Sequence, residues 1–259
     1  MLVGGVSCVG LFTPGFYDLE SPNWQAQSIG QDIIDLFLVL PVVLICAARA
    51  YGQHRLAKSI WAGTNIYLVY TFAIYAFDVH FNSMFFFYCL CLGLSFYSVL
   101  YFLYNEIRQV PTEIGFSSST ARITSGYFIV TAILFYILWM SDVITAIWFG
   151  VLPQNLVATG LLTNPVHVID LAIILPAIFI TGFLLRKQHS VGFIIAPVML
   201  AFTLLMNITI AFLNLVMLKR GIETNWAVSI LMLVLGVINF ILLITFYPHS
   251  VRQTTSHVA

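Results

Sequence analysis

The chain of 259 residues is 61% hydrophobic and only 8% charged, its formal net charge is zero, and its mean hydropathy is +0.99. Soluble domains carry about a quarter charged residues, so a soluble fold of this length has no way to cover so much apolar surface. The zero net charge and the lack of a basic stripe argue against a nucleic-acid partner. We therefore expect an all-α, polytopic membrane protein surrounded by the lipid bilayer.

Seven stretches are long and apolar enough to span a membrane, which takes about 20 mainly apolar residues. They cover residues 31–49, 59–79, 84–104, 122–141, 166–185, 191–217 and 226–247. Residues 1–12 are apolar but too short to span, and they lack the basic start and cleavage site of a signal peptide. The pattern predicts a single transmembrane domain over 1–259, with seven full spans and a short N-terminal helix that ends at "TPG".

The placement of Lys and Arg predicts the orientation of the spans, because cytoplasmic loops carry the excess of basic residues. One side of the predicted bundle carries eight basic residues: Arg49, Arg55, Lys58, Arg108, Arg122, Arg186, Lys187 and Arg252. Only Lys219 and Arg220 lie opposite. This predicts a bacterial cytoplasmic (inner) membrane protein with its C-terminus inside. Segments 13–30, 78–83, 142–165 and 218–225 then face outward, and the apolar segment 142–165 is expected to include a short helix in the membrane interface.

Two parts of the chain resemble each other. Residues 33–41, "IIDLFLVLP", and 168–176, "VIDLAIILP", share five identities in nine positions. The same offset of 135 residues carries Gln53-His54 onto Gln188-His189. We interpret this as two repeats, 1–110 and 111–259, which are parallel because each contains an even number of spans. The leading helix of the first repeat has only about half the length of its counterpart in the second. We therefore expect that the native chain starts upstream of Met1, or that this sequence is trimmed at its N-terminus.

Acidic residues inside the spans are the strongest candidates for a site. Asp35 and Asp170 are expected to be equivalent, one to two turns below the outer surface, and each has a polar residue three positions earlier on the same helix face, Asp32 or His167. An acidic residue costs about 2.5–3.5 kcal/mol at the centre of a span and usually faces protein or water. The predicted ligand-binding residues are Asp32, Asp35, His80, Asp142, Asn164, His167 and Asp170.

Structural interpretations compete with this one. Asn164 followed by Pro165 is typical of a helix start, and an acidic residue there is stabilised by the helix dipole. Asp170, however, is at the sixth helical position, beyond the first turn. A polar bridge between helices fits the acidic residues as well as a functional pocket does, and His80 beside Asp78 fits a solvated turn better. Pro41 and Pro176 are expected to kink their helices.

Several chemistries find no support in the sequence. The last span has no lysine for a retinal Schiff base, and HExxH, GxSxG and P-loop motifs are absent. The four cysteines lie in apolar runs without CxxC spacing, which is typical of buried small hydrophobic residues. His54 and His189 could bind haem or metal as symmetric partners, although loop histidines are usually solvated. We assign no catalytic residue, metal or cofactor.

The stretch "TNPVHVIDLAIILPA", together with "FYDLESPNW" and "YAFDVHFN", resembles an uncharacterised group of bacterial polytopic integral membrane proteins. The resemblance covers most of the chain and implies no activity. The leading hypothesis from the residues is an outward-facing pocket at the repeat interface that binds or transports a cation, proton or small polar solute. The alternatives are a non-catalytic subunit or assembly factor with membrane-protein partners and, third, an enzyme that acts on a lipid or quinone.

Overall fold

The computed structural model describes residues 1–52, 54–108 and 119–255. Within these ranges the regular structure is helical, and seven helices are long and apolar enough to cross a membrane. The helices are α1 (Leu2–Phe12), α2 (Pro22–Tyr51), α3 (Arg55–Asp78), α4 (Phe85–Arg108), α5 (Ser119–Phe149), α6 (Gln154–Thr159), α7 (Pro165–Arg186), α8 (Ser190–Lys219) and α9 (Trp226–Thr255). The predicted helical bundle, with its short N-terminal helix, is confirmed.

Two helix boundaries differ from the prediction. Helix α2 begins at Pro22, because the Ser21 side chain caps it by accepting from the Trp24 backbone N–H and proline fits the first helical turn. Residues 22–30, which were predicted to precede the first full span in an outward-facing segment, are therefore part of its helix, and Asp35 lies more than three turns from the start of that helix. Helix α5 runs on to Phe149, so Asp142 lies inside a helix instead of ending one.

Helices α3 and α8 form the centre of the bundle, since just over half of the apolar window of each is buried (56%). They approach closely at Gly63, where a Cβ atom would collide with the Val198 carbonyl oxygen. Helices α5 and α7 approach closely at Gly182, where a Cβ would lie 2.9 Å from Cγ1 of Ile129. Close contacts at small residues let helix backbones pack tightly. Such packing stabilises helix association in a lipid bilayer, where the hydrophobic effect does not drive it.

The packing partners of helices α1 to α4 match those of α5, α7, α8 and α9. Helix α1 packs on α2 as α5 packs on α7, α2 on α3 as α7 on α8, and α3 on α4 as α8 on α9. Further contacts follow the same scheme: α1 with α4 as α5 with α9, and α2 with α8 as, less extensively, α7 with α3. The contact between α3 and α8 is its own counterpart, because these two helices occupy equivalent positions in the two halves. Two contacts, α2 with α6 and α4 with α8, have no counterpart of comparable extent.

Both Asp-bearing helices contain one widened turn at the same place. Residues Asp35–Val39 and Asp170–Ile174 are π-helical, and the Leu40 and Leu175 N–H groups bond to the Asp35 and Asp170 carbonyls, five residues back. Pro41 and Pro176 are the second residues after these segments, and proline cannot donate and crowds the carbonyl four residues earlier, which lies inside each segment. The wider turn relieves that clash. The expected effect of the two prolines thus takes the form of a π-helical turn, a feature frequent at functional sites.

The paired histidines have a structural role. His54 is the N-cap of α3, with its side chain accepting from the Ala57 backbone N–H, and His189 is the N-cap of α8, accepting from the Val191 N–H. Gln53, the other residue of the first pair, lies outside the described residues. Each capping histidine occupies one turn between two spans, and among the described residues no three His, Cys, Asp or Glu side chains gather as a metal site.

Candidate functional site

The first polar group surrounds Asp32, which is 1% exposed. Its Oδ2 accepts a hydrogen bond of 2.7 Å from the Tyr17 hydroxyl, and its Oδ1 accepts one of 3.1 Å from the Tyr75 hydroxyl. Helix α1 passes so close that a Cβ on Gly10 would collide with the carboxylate. Burial raises the pKa of Tyr17 well above its usual value, so this phenol remains protonated and donates. Both carboxylate oxygens are therefore occupied by donors from the protein.

The second polar group surrounds Asp35, also 1% exposed. The Gln31 amide, one turn earlier, donates to Oδ1 of Asp35 at 2.9 Å and lies 2.6 Å from the Tyr67 hydroxyl. Tyr67 in turn bonds to the Thr209 hydroxyl at 2.9 Å, which connects α2 through α3 to α8. Asp32 is near enough to act on Asp35 electrostatically. These contacts make a continuous network across the centre of the bundle.

The third polar group surrounds Asp170, which is half-buried. The Trp139 indole N–H donates to its Oδ2 at 3.0 Å, and the Trp139 ring packs on the His167 ring with the centroids 4.5 Å apart. The Tyr70 hydroxyl has Asp170 as its charged neighbour, without a hydrogen bond of normal geometry. The group therefore combines side chains of α3, α5 and α7 around one carboxylate, which accepts from the Trp139 indole and has the Tyr70 hydroxyl as its other neighbouring donor.

Two buried polar atoms of this third group have no hydrogen-bond partner: the hydroxyl oxygen of Tyr70 and Nε2 of His167. These residues are 4% and 6% exposed. Buried polar groups in folded proteins are normally paired, and an unpaired one calls for a water, ion or ligand. Six other such atoms occur among the described side chains: Ser7 Oγ, Trp24 Nε1, Tyr88 Oη, Thr124 Oγ1, Asn239 Nδ2 and Asn239 Oδ1. Ser7 lies beside Asp32, so its hydroxyl can rotate to donate to the Asp32 carboxylate, which already accepts from Tyr17 and Tyr75.

The remaining predicted site residues lie around these groups. Asn164 is the N-cap of α7, with its Oδ1 accepting from the His167 N–H at 3.1 Å, which is the structural role foreseen for the Asn164-Pro165 pair. Asp142 acts electrostatically on His167 from helix α5. His80 is exposed at the end of α3, where the Glu20 carboxylate accepts from its backbone N–H at 2.8 Å and lies 3.0 Å from Nδ1.

The structure divides the predicted site in two. It brings Asp32 and Asp35 together, and it brings His167, Asp170 and Asp142 together, but among the described residues no hydrogen bond or ion pair joins one set to the other. The two sets meet at α3, which sends Tyr67 to the first and Tyr70 to the second. His80 belongs to neither. A single pocket around Asp35 and Asp170 stays a prediction.

Several residues of the two sets were absent from the predicted site: Tyr17, Gln31, Tyr67, Tyr70, Tyr75, Trp139 and Thr209. Gln31 was within reach of sequence reasoning, since it is four residues before Asp35 and so on the same helix face. A tyrosine hydroxyl needs a hydrogen-bond partner when it is buried, which also makes the tyrosines of α3 candidates. Tyr17 and Trp139 come from other elements, and nothing in their local sequence indicates which carboxylate they meet.

Comparison of the chain with protein-family models, curated proteins and solved structures finds no significant match in any of the three. The fold and the site geometry therefore define the class, a helical bundle in which the described residues form seven long apolar helices compatible with an integral membrane protein.

Proposed function

We propose that the protein binds a small cation, a proton or a small polar solute at carboxylates inside its transmembrane bundle and carries it across the membrane. One observation carries the proposal: Asp32, Asp35 and Asp170 lie within membrane-length helices, and their hydrogen-bond partners among the described residues are neutral hydroxyl, amide and indole groups. Ionisable residues inside spans are costly and mark substrate, ion or proton pathways.

The predicted repeats support this proposal. The matched packing partners of the two halves and the π-helical turns at the same offset agree with two parallel units related by an axis between α3 and α8. Transporters built from repeats place their sites near the interface between them, often at a break in helix geometry. In this arrangement the i, i+3 pairs Asp32/Asp35 and His167/Asp170 are equivalent positions that carry different side chains.

The proposed orientation places the basic ends of the helices and the C-terminus in the cytoplasm of a bacterial cell, with Asp35 and Asp170 in the outer half. Fusion of a reporter that fluoresces only in the cytoplasm to the C-terminus is expected to give a bright signal. A reporter that is active only in the periplasm is expected to be silent there. The reverse pattern would contradict the orientation.

Transport is tested with the protein in liposomes. Proton flux is followed with enclosed pyranine, and rubidium uptake with a radiolabel, under a potassium diffusion potential. We expect flux of one of these probes above that of protein-free liposomes, a loss of at least about 10-fold in Asp35→Asn or Asp170→Asn, and no loss in Glu106→Gln. Glu106 is a matched control, since its carboxylate lies at the opposite end of the bundle in a partly exposed pair with Lys58 at 3.9 Å, of the kind that contributes little. The absence of flux for both probes would contradict transport of small cations.

A non-catalytic subunit or assembly factor is the second candidate, and the Asp32 group favours it, since a carboxylate whose oxygens both accept from buried tyrosines acts as a bridge between helices. Under this alternative, mild purification from native membranes yields a membrane-protein partner in fixed ratio, and Asp35→Asn reduces that ratio while the protein stays folded. Under transport, the purified chain alone is active.

A further inference from the structure

We infer that the group around Asp170 is a recognition site for a primary ammonium ion, carried by a small solute or by the headgroup of an aminolipid. This inference deepens the proposed function. The role of the site in transport rests on that proposal, whereas binding of the ammonium ion can be measured without any transport. Three features support it: the charge of the site, its unpaired atoms and its aromatic wall.

The charge of the group favours a cation. Asp170 supplies one carboxylate, and Asp142 adds a second acidic residue near His167. The partners of Asp170 are the Trp139 indole and the neighbouring Tyr70 hydroxyl, and no salt bridge between described residues involves Asp170. The carboxylate would repel an anion here, whereas a bound cation would supply the positive charge that no described side chain provides.

The unpaired atoms favour a cation that donates several hydrogen bonds. Three acceptors belong to this group: Nε2 of His167 when its proton is on Nδ1, the hydroxyl oxygen of Tyr70, and the oxygen of Asp170 that the Trp139 indole does not occupy. The first two have no partner, and the Tyr70 hydroxyl approaches Asp170 without a hydrogen bond of normal geometry. A primary ammonium carries three N–H donors, as the lysine side chain does. A bare proton on Asp170 would leave the histidine nitrogen and the tyrosine oxygen unpaired. A metal ion is disfavoured because the described residues bring no three His, Cys, Asp or Glu ligands together.

The surroundings of the site are suited to an organic cation. The Trp139 ring lies against His167 and its N–H fixes one oxygen of Asp170, so the carboxylate is oriented before a ligand arrives. Tyr136 fixes the neighbouring backbone, since its hydroxyl donates to the Leu171 carbonyl at 2.6 Å inside the π-helical turn. Aromatic rings attract ammonium groups through their π faces. A preorganised carboxylate lined by aromatic rings binds such a group with little reorganisation.

Equilibrium binding of radiolabelled methylammonium tests the inference, with the purified full-length protein in phosphatidylcholine nanodiscs, which contain no primary amine. We expect saturable binding, and we expect tetramethylammonium, which has the same charge but no N–H donor, to compete at least about 10-fold less well. Asp170→Asn should weaken methylammonium binding at least about 10-fold, while Glu106→Gln should leave it unchanged. His167→Phe and Tyr70→Phe, which remove one acceptor each, should each weaken it about 3- to 10-fold.

The outcomes separate the possible occupants. Competition by phosphatidylethanolamine in mixed nanodiscs would identify the aminolipid headgroup as the source of the ammonium; a lack of competition would identify a free amine, and both results support the site. Equal binding of tetramethylammonium, or binding that survives both Asp170→Asn and Tyr70→Phe in folded protein, would overturn the inference. Absence of saturable methylammonium binding to the folded protein would overturn it too, and would leave transport of protons or rubidium to its own assay.

Discussion

Helices α2 and α7 carry the same short motif in the same local geometry, yet the polar groups built on them differ. On α2, Asp32 accepts from two tyrosine hydroxyls and Asp35 from a glutamine amide that also joins α3. On α7, Asp170 accepts from one indole, and His167 has an unpaired nitrogen. A group whose acceptors are filled by the protein holds helices together, whereas one with unfilled acceptors is suited to a ligand. The difference separates a structural centre from a binding centre within one fold.

The largest effect is expected at Asp32. Asp32→Ala strands the Tyr17 hydroxyl inside the bundle, and a stranded buried group costs about 1–3 kcal/mol. It also removes one of the two acceptors of the Tyr75 hydroxyl, which keeps the Ser28 carbonyl at 3.1 Å. We expect the free energy of unfolding to fall by about 3 kcal/mol, measured by reversible unfolding in mixed micelles. Asp170→Ala strands only the Trp139 N–H and is expected to cost about 1 kcal/mol. Equal losses would remove the distinction between the two groups.

Gln31 gives the next effect. Gln31→Leu removes the donor to Asp35 and the contact with Tyr67, so we expect a loss of about 2 kcal/mol in the free energy of unfolding. Val166 stands at the corresponding position of the second motif, which makes Val166→Leu a control with an expected change below about 0.5 kcal/mol. If the two substitutions destabilise the protein equally, the Gln31 network contributes nothing specific.

Two tyrosines of α3 make a closely matched pair. Tyr67→Phe removes a hydroxyl bonded to Thr209 and Gln31 and should cost about 1 kcal/mol, since hydrogen bonds between membrane helices average about 0.6 kcal/mol. Tyr70→Phe removes a hydroxyl that has no partner, so the ligand-free protein should lose nothing or gain a few tenths of a kcal/mol. Thermal unfolding of both variants in phosphatidylcholine measures the difference. A larger loss in Tyr70→Phe would indicate a hydrogen bond absent from the structure.

The smallest effect is expected at His167. His167→Phe keeps an aromatic ring against Trp139 and removes a nitrogen that has no partner, so stability should change by less than about 0.5 kcal/mol. The intrinsic fluorescence of the protein should likewise change little without an added amine. A destabilisation above about 1 kcal/mol would show that His167 has a structural bond.

The fold follows from the sequence more readily than the site does. Apolar length alone indicates the seven spans, and Asn164-Pro165 correctly marks the start of α7. The start of α2 was missed because the polar residues between Pro22 and Gln31 lower the local hydropathy, although Ser21-Pro22 carries the same kind of start signal. Spacing within a helix pairs His167 with Asp170, but only the tertiary packing decides that Trp139 meets one carboxylate and Tyr17 another.

We infer that the acceptors around Asp170 are filled from outside the protein, whereas those of Asp32 are filled from within. A high-resolution structure of the protein, purified with its native lipids, tests this most directly. We expect non-protein density within hydrogen-bonding distance of Asp170, His167 Nε2 and the Tyr70 hydroxyl, and none between Asp32 and its two tyrosines. Direct hydrogen bonds among Asp170, His167 and Tyr70, with no density beside them, would contradict it.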